Sequence, residues 1–265
     1  MLQLQDASDC SAEDLQLLAL IDGNITHVSI RLDPASAVED TIERFARSFL
    51  RPNVLSIDGS YGSGRAEVDE SSLAACTQLT SLETPTGFPG LSQLTQLQHV
   101  ILYSIGSLST IADLACLPHL ARLELGSCDR IDQLGSSQRF MFPSLTYLEF
   151  SEVNASLLGA LDCPQLQRLE LRIDLEYDKC LCVDSVPSLN ACVGSLLKHC
   201  GYVRLSCGPG VSLTAVLEAL APWQPSAAAI SSRSEGMGLM LDGEKQISAS
   251  HLELLPTGLQ ELAFT

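Results

Sequence analysis

The chain has 265 residues, of which 46% are hydrophobic and 18% are charged, a composition too apolar for a disordered protein. Its formal net charge of −17 disfavours binding to nucleic acids and to anionic membrane surfaces, because both require clustered Lys and Arg. A basic protein partner fits this charge better.

The lack of a recognisable signal peptide and the low cysteine content both predict an intracellular protein, in the cytoplasm or the nucleus. The segment from Met1 to Asp6 lacks the basic region of a signal peptide, and no apolar run approaches the ~18 residues of a membrane-spanning helix. Ten cysteines are too few for a disulfide scaffold in a chain of this length. We therefore expect a reducing compartment and buried thiols.

The beginning of the chain predicts a capping segment over residues 1–24, followed by two strands. Ser11 precedes acidic first-turn residues and a leucine-rich stretch, which indicates a short helix that closes the end of the stack. Strands are expected at Ile25–Ile30 and Val54–Ile57, with an amphipathic helix over Ser36–Leu50 between them.

Further along the chain, short apolar strands alternate with short connections. Two prolines between Leu82 and Leu91 leave no room for a helix, so this connection is expected to be extended or 3₁₀. Later connections are predicted to be helical, over residues 108–117, 156–161 and 212–220.

Three similar six-residue motifs organise the middle of the chain: Leu120-Ala-Arg-Leu123-Glu-Leu125, Leu145-Thr-Tyr-Leu148-Glu-Phe150 and Leu166-Gln-Arg-Leu169-Glu-Leu171. The first, fourth and sixth positions are apolar, and the alternation is typical of a short strand with one buried face. Such a strand cannot bury its apolar row alone, so it must stack on a neighbour of the same kind.

Related motifs recur along most of the chain. First positions fall at residues 25, 52, 79, 97, 120, 145 and 166, and these steps fit repeats of ~20–29 residues with one short member. Another motif begins at Cys200, after an insertion over residues 174–190. Two final motifs contain Leu239-x-Leu241 and Leu259-x-x-Leu262-x-Phe264.

These motifs resemble the leucine-rich repeat superfamily. Helical connections resemble its ribonuclease-inhibitor-like class, and Cys76-Thr-Gln-Leu79, Cys163-Pro-Gln-Leu166 and Cys128 resemble the cysteine-containing branch found in F-box receptors. The resemblance implies an α/β solenoid that is curved, with parallel strands on the concave side and helices and loops on the convex side. We expect one domain over residues 1–265, with nine to ten irregular repeats over 25–265 and an open C-terminal end.

The resemblance implies a non-catalytic scaffold that binds a protein on its concave strand face. A second interpretation is the substrate-recognition part of an F-box-type ubiquitin ligase receptor.

An enzyme and a zinc-binding protein are weaker alternatives. The five histidines lie in separate repeats, so no nucleophile–base set is evident, and we expect no catalytic residue and no cofactor. The densest cysteine cluster is Cys180, Cys182, Cys192, Cys200 and Cys207. It lacks the paired C-x-x-C spacing of structural zinc sites, so no metal is expected.

The third and fifth positions of each motif should face the open side of the sheet. This places Glu124, Glu149 and Glu170 in one column on three successive strands. Arg122 and Arg168 fall in the neighbouring column, with Tyr147 between them. Tyr202, His99 and Tyr103 complete the candidate protein-binding set.

Two interpretations of this face remain open. One is a solvated face with Arg–Glu pairs across strands, and the other is an acidic stripe framed by Arg and Tyr, which are residues enriched at binding hot spots. Carboxylates on strands ~4.8 Å apart repel one another, and Arg122, Arg168 and Arg172 are expected to relieve part of this repulsion. Glu149 and Glu170 are both expected to point into solvent.

Overall fold

The computed structural model describes residues 2–4, 27–32, 54–59, 77–88, 90–127, 138–151, 155–173, 196–197, 200–207, 213–220, 238–242, 255 and 261–264. The chain divides into two compact units, Met1–Leu120 and Ala121–Thr265. They are called the N-terminal unit and the C-terminal unit below. A single domain over the whole chain stays a prediction.

Several predicted features lie outside the described residues. They are the helices near residues 11–20 and 36–50, the insertion over 174–190, and Cys128, Cys180, Cys182 and Cys192.

The N-terminal unit contains parallel strands in chain order. They are β1 (Leu2–Leu4), β2 (His27–Leu32), β3 (Val54–Gly59), β4 (Ser81–Thr86) and β5 (His99–Ser104). Each strand pairs in parallel with the next one along the chain. The sequence did not predict β1, which has only three residues.

The connections in the N-terminal unit follow the sequence pattern. A 3₁₀ turn at Leu91–Gln93 confirms the predicted non-helical return after the prolines. Helix α1 (Leu108–Ala115) confirms the helix predicted over residues 108–117, and the Ser107 side chain caps it by accepting a hydrogen bond from the Thr110 amide at 3.4 Å.

The C-terminal unit has a main sheet and a small second sheet. In chain order its described strands are β6 (Arg122–Ser127), β7 (Phe140–Met141), β8 (Tyr147–Phe150), β9 (Leu161–Asp162), β10 (Arg168–Ile173), β11 (Tyr202–Cys207), β12 (Gly238–Asp242) and β13 (Glu261–Phe264). Parallel pairing gives the order β6-β8-β10-β11-β12-β13 in the main sheet, while β7 pairs with β9.

Two helices accompany these strands. Helix α2 (Ala155–Ala160) and helix α3 (Leu213–Leu220) lie where the sequence predicted helical connections. Among the described residues, no helix combines the length and the apolar character needed to cross a bilayer.

The pairing register agrees with the alignment of the sequence motifs. In the N-terminal unit the third motif positions pair in the series His27, Val54, Ser81 and His99. In the C-terminal unit the corresponding series is Arg122, Tyr147, Arg168, Tyr202, Gly238 and Glu261. The motif spacing therefore predicted which residues lie side by side, although the segments between them differ in length.

Burial follows the same positions. Where side chains are described, the first, fourth and sixth motif positions are at most 4% exposed. They are Leu79, Leu82, Thr84, Leu97, Val100, Leu102, Leu120, Leu123, Leu125, Leu145, Leu148, Phe150, Leu166, Leu169, Leu171, Cys200, Val203 and Leu205. Burying one Leu or Phe stabilises the fold by about 1.5–3 kcal/mol, so this face supplies much of the folding free energy.

A short turn precedes several of these strands. The amide of a first-position residue donates to the carbonyl three residues earlier, from Leu97 to Leu94 at 3.0 Å, and from Leu166 to Cys163 at 3.1 Å. The same bond joins Cys200 to Leu197 at 3.3 Å. Because the accepting residues are buried, this turn brings an additional apolar residue into the core.

The backbone carbonyl at the second motif position accepts two hydrogen bonds in several motifs, and is called the double-acceptor carbonyl below. In the N-terminal unit the Thr80 carbonyl accepts from the amides of Gln98 and His99 at 2.8 and 3.1 Å. In the C-terminal unit the carbonyls at 121, 146 and 167 accept two amides each in the same way. All four acceptors occupy the second motif position, so this bond joins each strand to the next at its start.

Two glycines are required by the chain path in the N-terminal unit. Gly90 has φ 88°, in the left-handed region, where other residues are strained. A Cβ on Gly87 would lie 2.1 Å from Cγ2 of Thr110, which is 6% exposed on α1. The segment after β4 therefore packs against α1 with no space for a side chain.

The described cysteines have free thiols but differ in exposure. Cys163 and Cys200 are buried as predicted, and burial raises the pKa of the Cys163 thiol to about 12. Cys116 is exposed, so the prediction of burial was wrong for this residue. Its position just after α1 explains the difference, because the core-facing residues of that helix are Thr110, Ile111 and Leu114.

Candidate functional site

Two rows of side chains cross the exposed face of β6, β8, β10 and β11. The arginine–tyrosine row consists of Arg122, Tyr147, Arg168 and Tyr202, and the glutamate row consists of Glu124, Glu149, Glu170 and Arg204. These side chains alternate along each strand with the buried leucines, which is why they share the opposite face. The sequence predicted the positions of the three glutamates and their neighbours in these rows correctly.

Stacking connects the members of the arginine–tyrosine row. The Arg122 guanidinium carbon lies 4.0 Å from the Tyr147 ring centroid. Arg168 lies between two tyrosines, 5.6 Å from the Tyr147 centroid and 4.6 Å from that of Tyr202. Each cation–π contact contributes about 0.5–1 kcal/mol at exposed sites, so the row is ordered by several weak contacts.

Hydrogen bonds connect the two rows along β6 and β10. Arg122 Nε donates to Glu124 Oε1 at 2.6 Å, and Arg168 Nε donates to Glu170 Oε1 at 2.7 Å. These pairs join residues two apart on one strand. Arg204 on β11 reaches Glu170 on β10, so an Arg–Glu pair across strands occurs as well.

Glu170 corrects one expectation from the sequence. It is 9% exposed rather than open to solvent, because Arg168 and Arg204 both reach its carboxylate. The shortest contacts are 2.6 Å from Arg168 Nη2 and 3.8 Å from Arg204 Nη1. Arg204 thus provides a contact for which the sequence suggested Arg172. Arg204 occupies the fifth position of the motif that begins at Cys200, and this position was the sequence signal that could have identified it.

Glu149 differs from the glutamates on either side of it. The residue two positions earlier is Tyr147, whose hydroxyl donates to Glu149 Oε2 at 2.6 Å. Within the described part of the chain, no Lys or Arg forms an ion pair with Glu149. A phenol satisfies one oxygen without neutralising the charge, so Glu149 retains a carboxylate that can accept a cation.

Burial and nearby carboxylates shift the pKa values of Tyr147 and Arg122. Burial raises the pKa of Tyr147, and the hydrogen bond to Glu149 raises it further, so the phenol remains a donor at neutral pH. Partial burial lowers the pKa of Arg122, but the hydrogen bond and charge of Glu124 raise it more, and the net shift is upward. Tyr147 and Arg122 are thus both held in their protonated forms.

No protein-family model matches this sequence, and no curated protein matches it.

The remaining predicted residues lie in the N-terminal unit. Ser81 Oγ and His99 Nδ1 are 3.4 Å apart, and the Tyr103 hydroxyl donates to the Glu83 carboxylate. His99 and Tyr103 therefore take part in polar contacts on β4 and β5 of the N-terminal unit. Their part in binding stays a prediction.

The two rows offer groups suited to stacking and hydrogen bonding. Planar guanidinium and phenol groups present flat surfaces and hydrogen-bond donors, and the carboxylates present acceptors. Among the residues that the structure describes, no three His, Cys, Asp or Glu side chains come together in a way suited to a metal ion.

Proposed function

We propose that this chain is a non-catalytic leucine-rich repeat protein that binds a protein partner on the exposed strand face of its C-terminal unit. The observation that carries the proposal is the arginine–tyrosine row. Arg and Tyr are among the residue types enriched at the hot spots of protein interfaces, and here they contact one another on neighbouring strands.

The solenoid class rests on repeated backbone features. The turn before several strands and the double-acceptor carbonyl recur at matching motif positions. The first, fourth and sixth motif positions are buried wherever their side chains are described. Each recurrence supports stacked repeats of one design, as expected for the ribonuclease-inhibitor-like class.

The partner is proposed to carry basic side chains. The chain has a net charge of −17, which attracts cations over a distance and increases association rates. Glu149 is the proposed docking point, because Glu124 and Glu170 already have arginine partners on their own strands. An intracellular location, in the cytoplasm or the nucleus, fits the free thiols of the described cysteines.

Quantitative affinity capture from a native cell extract tests this function. Tyr147→Ala and Glu149→Lys should each reduce capture of the specific partner at least about tenfold, since hot-spot truncations cost ~2 kcal/mol or more. Glu218→Lys makes the same charge reversal at an exposed position on α3 of the same unit and serves as the control.

Thermal unfolding of each variant separates lost binding from lost folding. Equal capture by Tyr147→Ala, Glu149→Lys and Glu218→Lys, with all three folded, would show that this face is not the binding site. Asp113→Lys on α1 provides a second control, in the N-terminal unit.

A further inference from the structure

The surroundings of Glu149 restrict the kind of cation that this carboxylate can accept. Its Oε2 accepts a hydrogen bond from the Tyr147 hydroxyl at 2.6 Å. The raised pKa of Tyr147 keeps that hydroxyl protonated at neutral pH, so Oε2 remains engaged. No Lys or Arg of the described part of the chain pairs with Glu149, which leaves Oε1 for a cation from a partner.

The ring of Tyr147 is already stacked from both neighbouring strands. Arg122 of β6 lies 4.0 Å and Arg168 of β10 lies 5.6 Å from its centroid, and β8 lies between these two strands. A third guanidinium that approached Glu149 would therefore find neither face of this ring free. The surface is nevertheless accessible, because the side chains of Arg122 and Arg168 are 47% and 41% exposed.

Both constraints disfavour arginine as the residue that a partner places at Glu149. Arginine gains over lysine by forming two parallel bonds to a carboxylate and by stacking on aromatic rings. The first interaction requires Oε2, and the second requires a free face of Tyr147. A lysine ammonium is a compact charge that can bind through Oε1 alone.

We propose that the partner's residue at Glu149 is a lysine, whose ammonium donates to Oε1 beside the stacked side chains of Arg122, Tyr147 and Arg168. This inference rests on the proposed protein-binding function and names the chemistry of its central contact. It can be tested separately from that function, because the preference for lysine over arginine is measurable on the chain alone.

The test compares three small probes that differ in the group at the end of the side chain. Nα-acetyl-lysine methylamide, its arginine counterpart and its Nε-acetylated form are each titrated into the full chain at low ionic strength. NMR follows the carboxyl carbon of Glu149 and the ring of Tyr147, and saturable shifts are expected with the lysine probe. The arginine probe should bind at least about threefold more weakly, and the uncharged probe should give no saturable shift.

Two variants show whether the preference arises at Glu149. Tyr147→Phe keeps a ring beside Arg122 but frees Oε2, so the arginine probe should form its bidentate pair and bind at least about threefold more tightly than it binds the unmodified chain. Glu149→Gln removes the charge, and binding of the lysine probe at the Tyr147 ring should weaken about tenfold. Glu218→Gln removes an exposed carboxylate on α3 and should bind the probes as the unmodified chain does.

Three outcomes overturn the proposal: no saturable shift at Glu149, arginine binding as tight as lysine binding in the unmodified chain, or arginine binding unchanged in a folded Tyr147→Phe variant. If that variant does not fold, the comparison of lysine with arginine on the unmodified chain decides. Failure of the lysine preference while partner capture still depends on Glu149 overturns only the identity of the contacting residue. If the preference holds but capture ignores Tyr147 and Glu149, the docking site proposed on β8 is wrong and the selectivity of the carboxylate stands.

Discussion

Glu149 and Glu170 occupy neighbouring positions in one row, but their carboxylates have different partners. Two arginines reach Glu170, whereas Glu149 accepts a hydrogen bond from a tyrosine. The cost of removing a carboxylate depends on the groups that lose their partner. The two residues should therefore respond differently to the same substitution.

Glu170→Gln is expected to lower the free energy of unfolding by about 1–3 kcal/mol, because Arg168 and Arg204 lose a charged acceptor at a site that is 9% exposed. Glu149→Gln is the matched control. It should change stability by less than about 0.5 kcal/mol, since an amide oxygen can still accept from Tyr147. Urea unfolding measures both, and equal losses would contradict the assignment of Glu170 as the structural member of the row.

Tyr147 gives stability a dependence on alkaline pH. In an unfolded chain a tyrosine ionises with a pKa of ~10, but burial and Glu149 raise the pKa of Tyr147 in the folded state. Its contribution is therefore complete below pH ~10 and is lost as the pH rises above that value toward the folded-state pKa. Tyr147→Phe removes this ionisable group. The free energy of unfolding of the variant should therefore fall less steeply above pH 10 than that of the unmodified chain.

Denaturant midpoints from pH 8 to pH 11 for the two proteins measure this difference. Parallel curves above pH 10 would show that the Tyr147 pKa is the same in both states.

The contact between the segment after β4 and α1 predicts a second stability difference. Gly87→Ala would place a methyl group 2.1 Å from Thr110 Cγ2, so the segment or the helix must shift. Overpacking of this kind costs about 1–3 kcal/mol. Gly106→Ala is the control, because a Cβ there meets no atom within 4 Å. Comparable melting temperatures for the two variants would contradict this close packing.

Period-two alternation explains which elements could be predicted from the sequence. Strands such as β8 and β10 carry Leu or Phe at alternate positions, and burial of that row fixes both the strand and its register. The strands β1, β7 and β9 have two or three residues each, too few to show a period. Their pairing depends on neighbours that are distant in sequence.

The candidate site could be predicted only as positions. The motif spacing places Glu124, Glu149 and Glu170 side by side. It does not determine which rotamers the long side chains adopt. Arg204 turns toward Glu170 and buries it, a choice among rotamers that the order of residues does not reveal. The exposure expected for Glu170 was wrong for this reason.

The charge of the whole chain predicts how partner binding responds to salt. The net charge of −17 should increase the association rate with a basic partner at low ionic strength, and this gain should fall as salt shortens the ~10 Å screening length at 0.1 M. Once a partner is identified, Glu149→Lys should weaken binding and reduce its salt dependence. Stopped-flow association at several salt concentrations measures both.

Glu149→Lys is preferred to a double reversal that includes Glu170, because reversing Glu170 would place a lysine beside two arginines. An association rate of the unmodified chain that does not change with salt would contradict attraction by the overall charge.

The double-acceptor carbonyl has a consequence for how such a chain can vary in length. At Thr80 the bond reaches Gln98, 18 residues later, and at Gln167 it reaches Gly201, 34 residues later. The same pair of hydrogen bonds thus follows both short and long connecting segments, and the next strand pairs in the same register in each case. Insertions and deletions between strands can accumulate without displacing the residues on the exposed face. Natural variation in loop length should therefore be wide while the spacing of surface contacts stays constant.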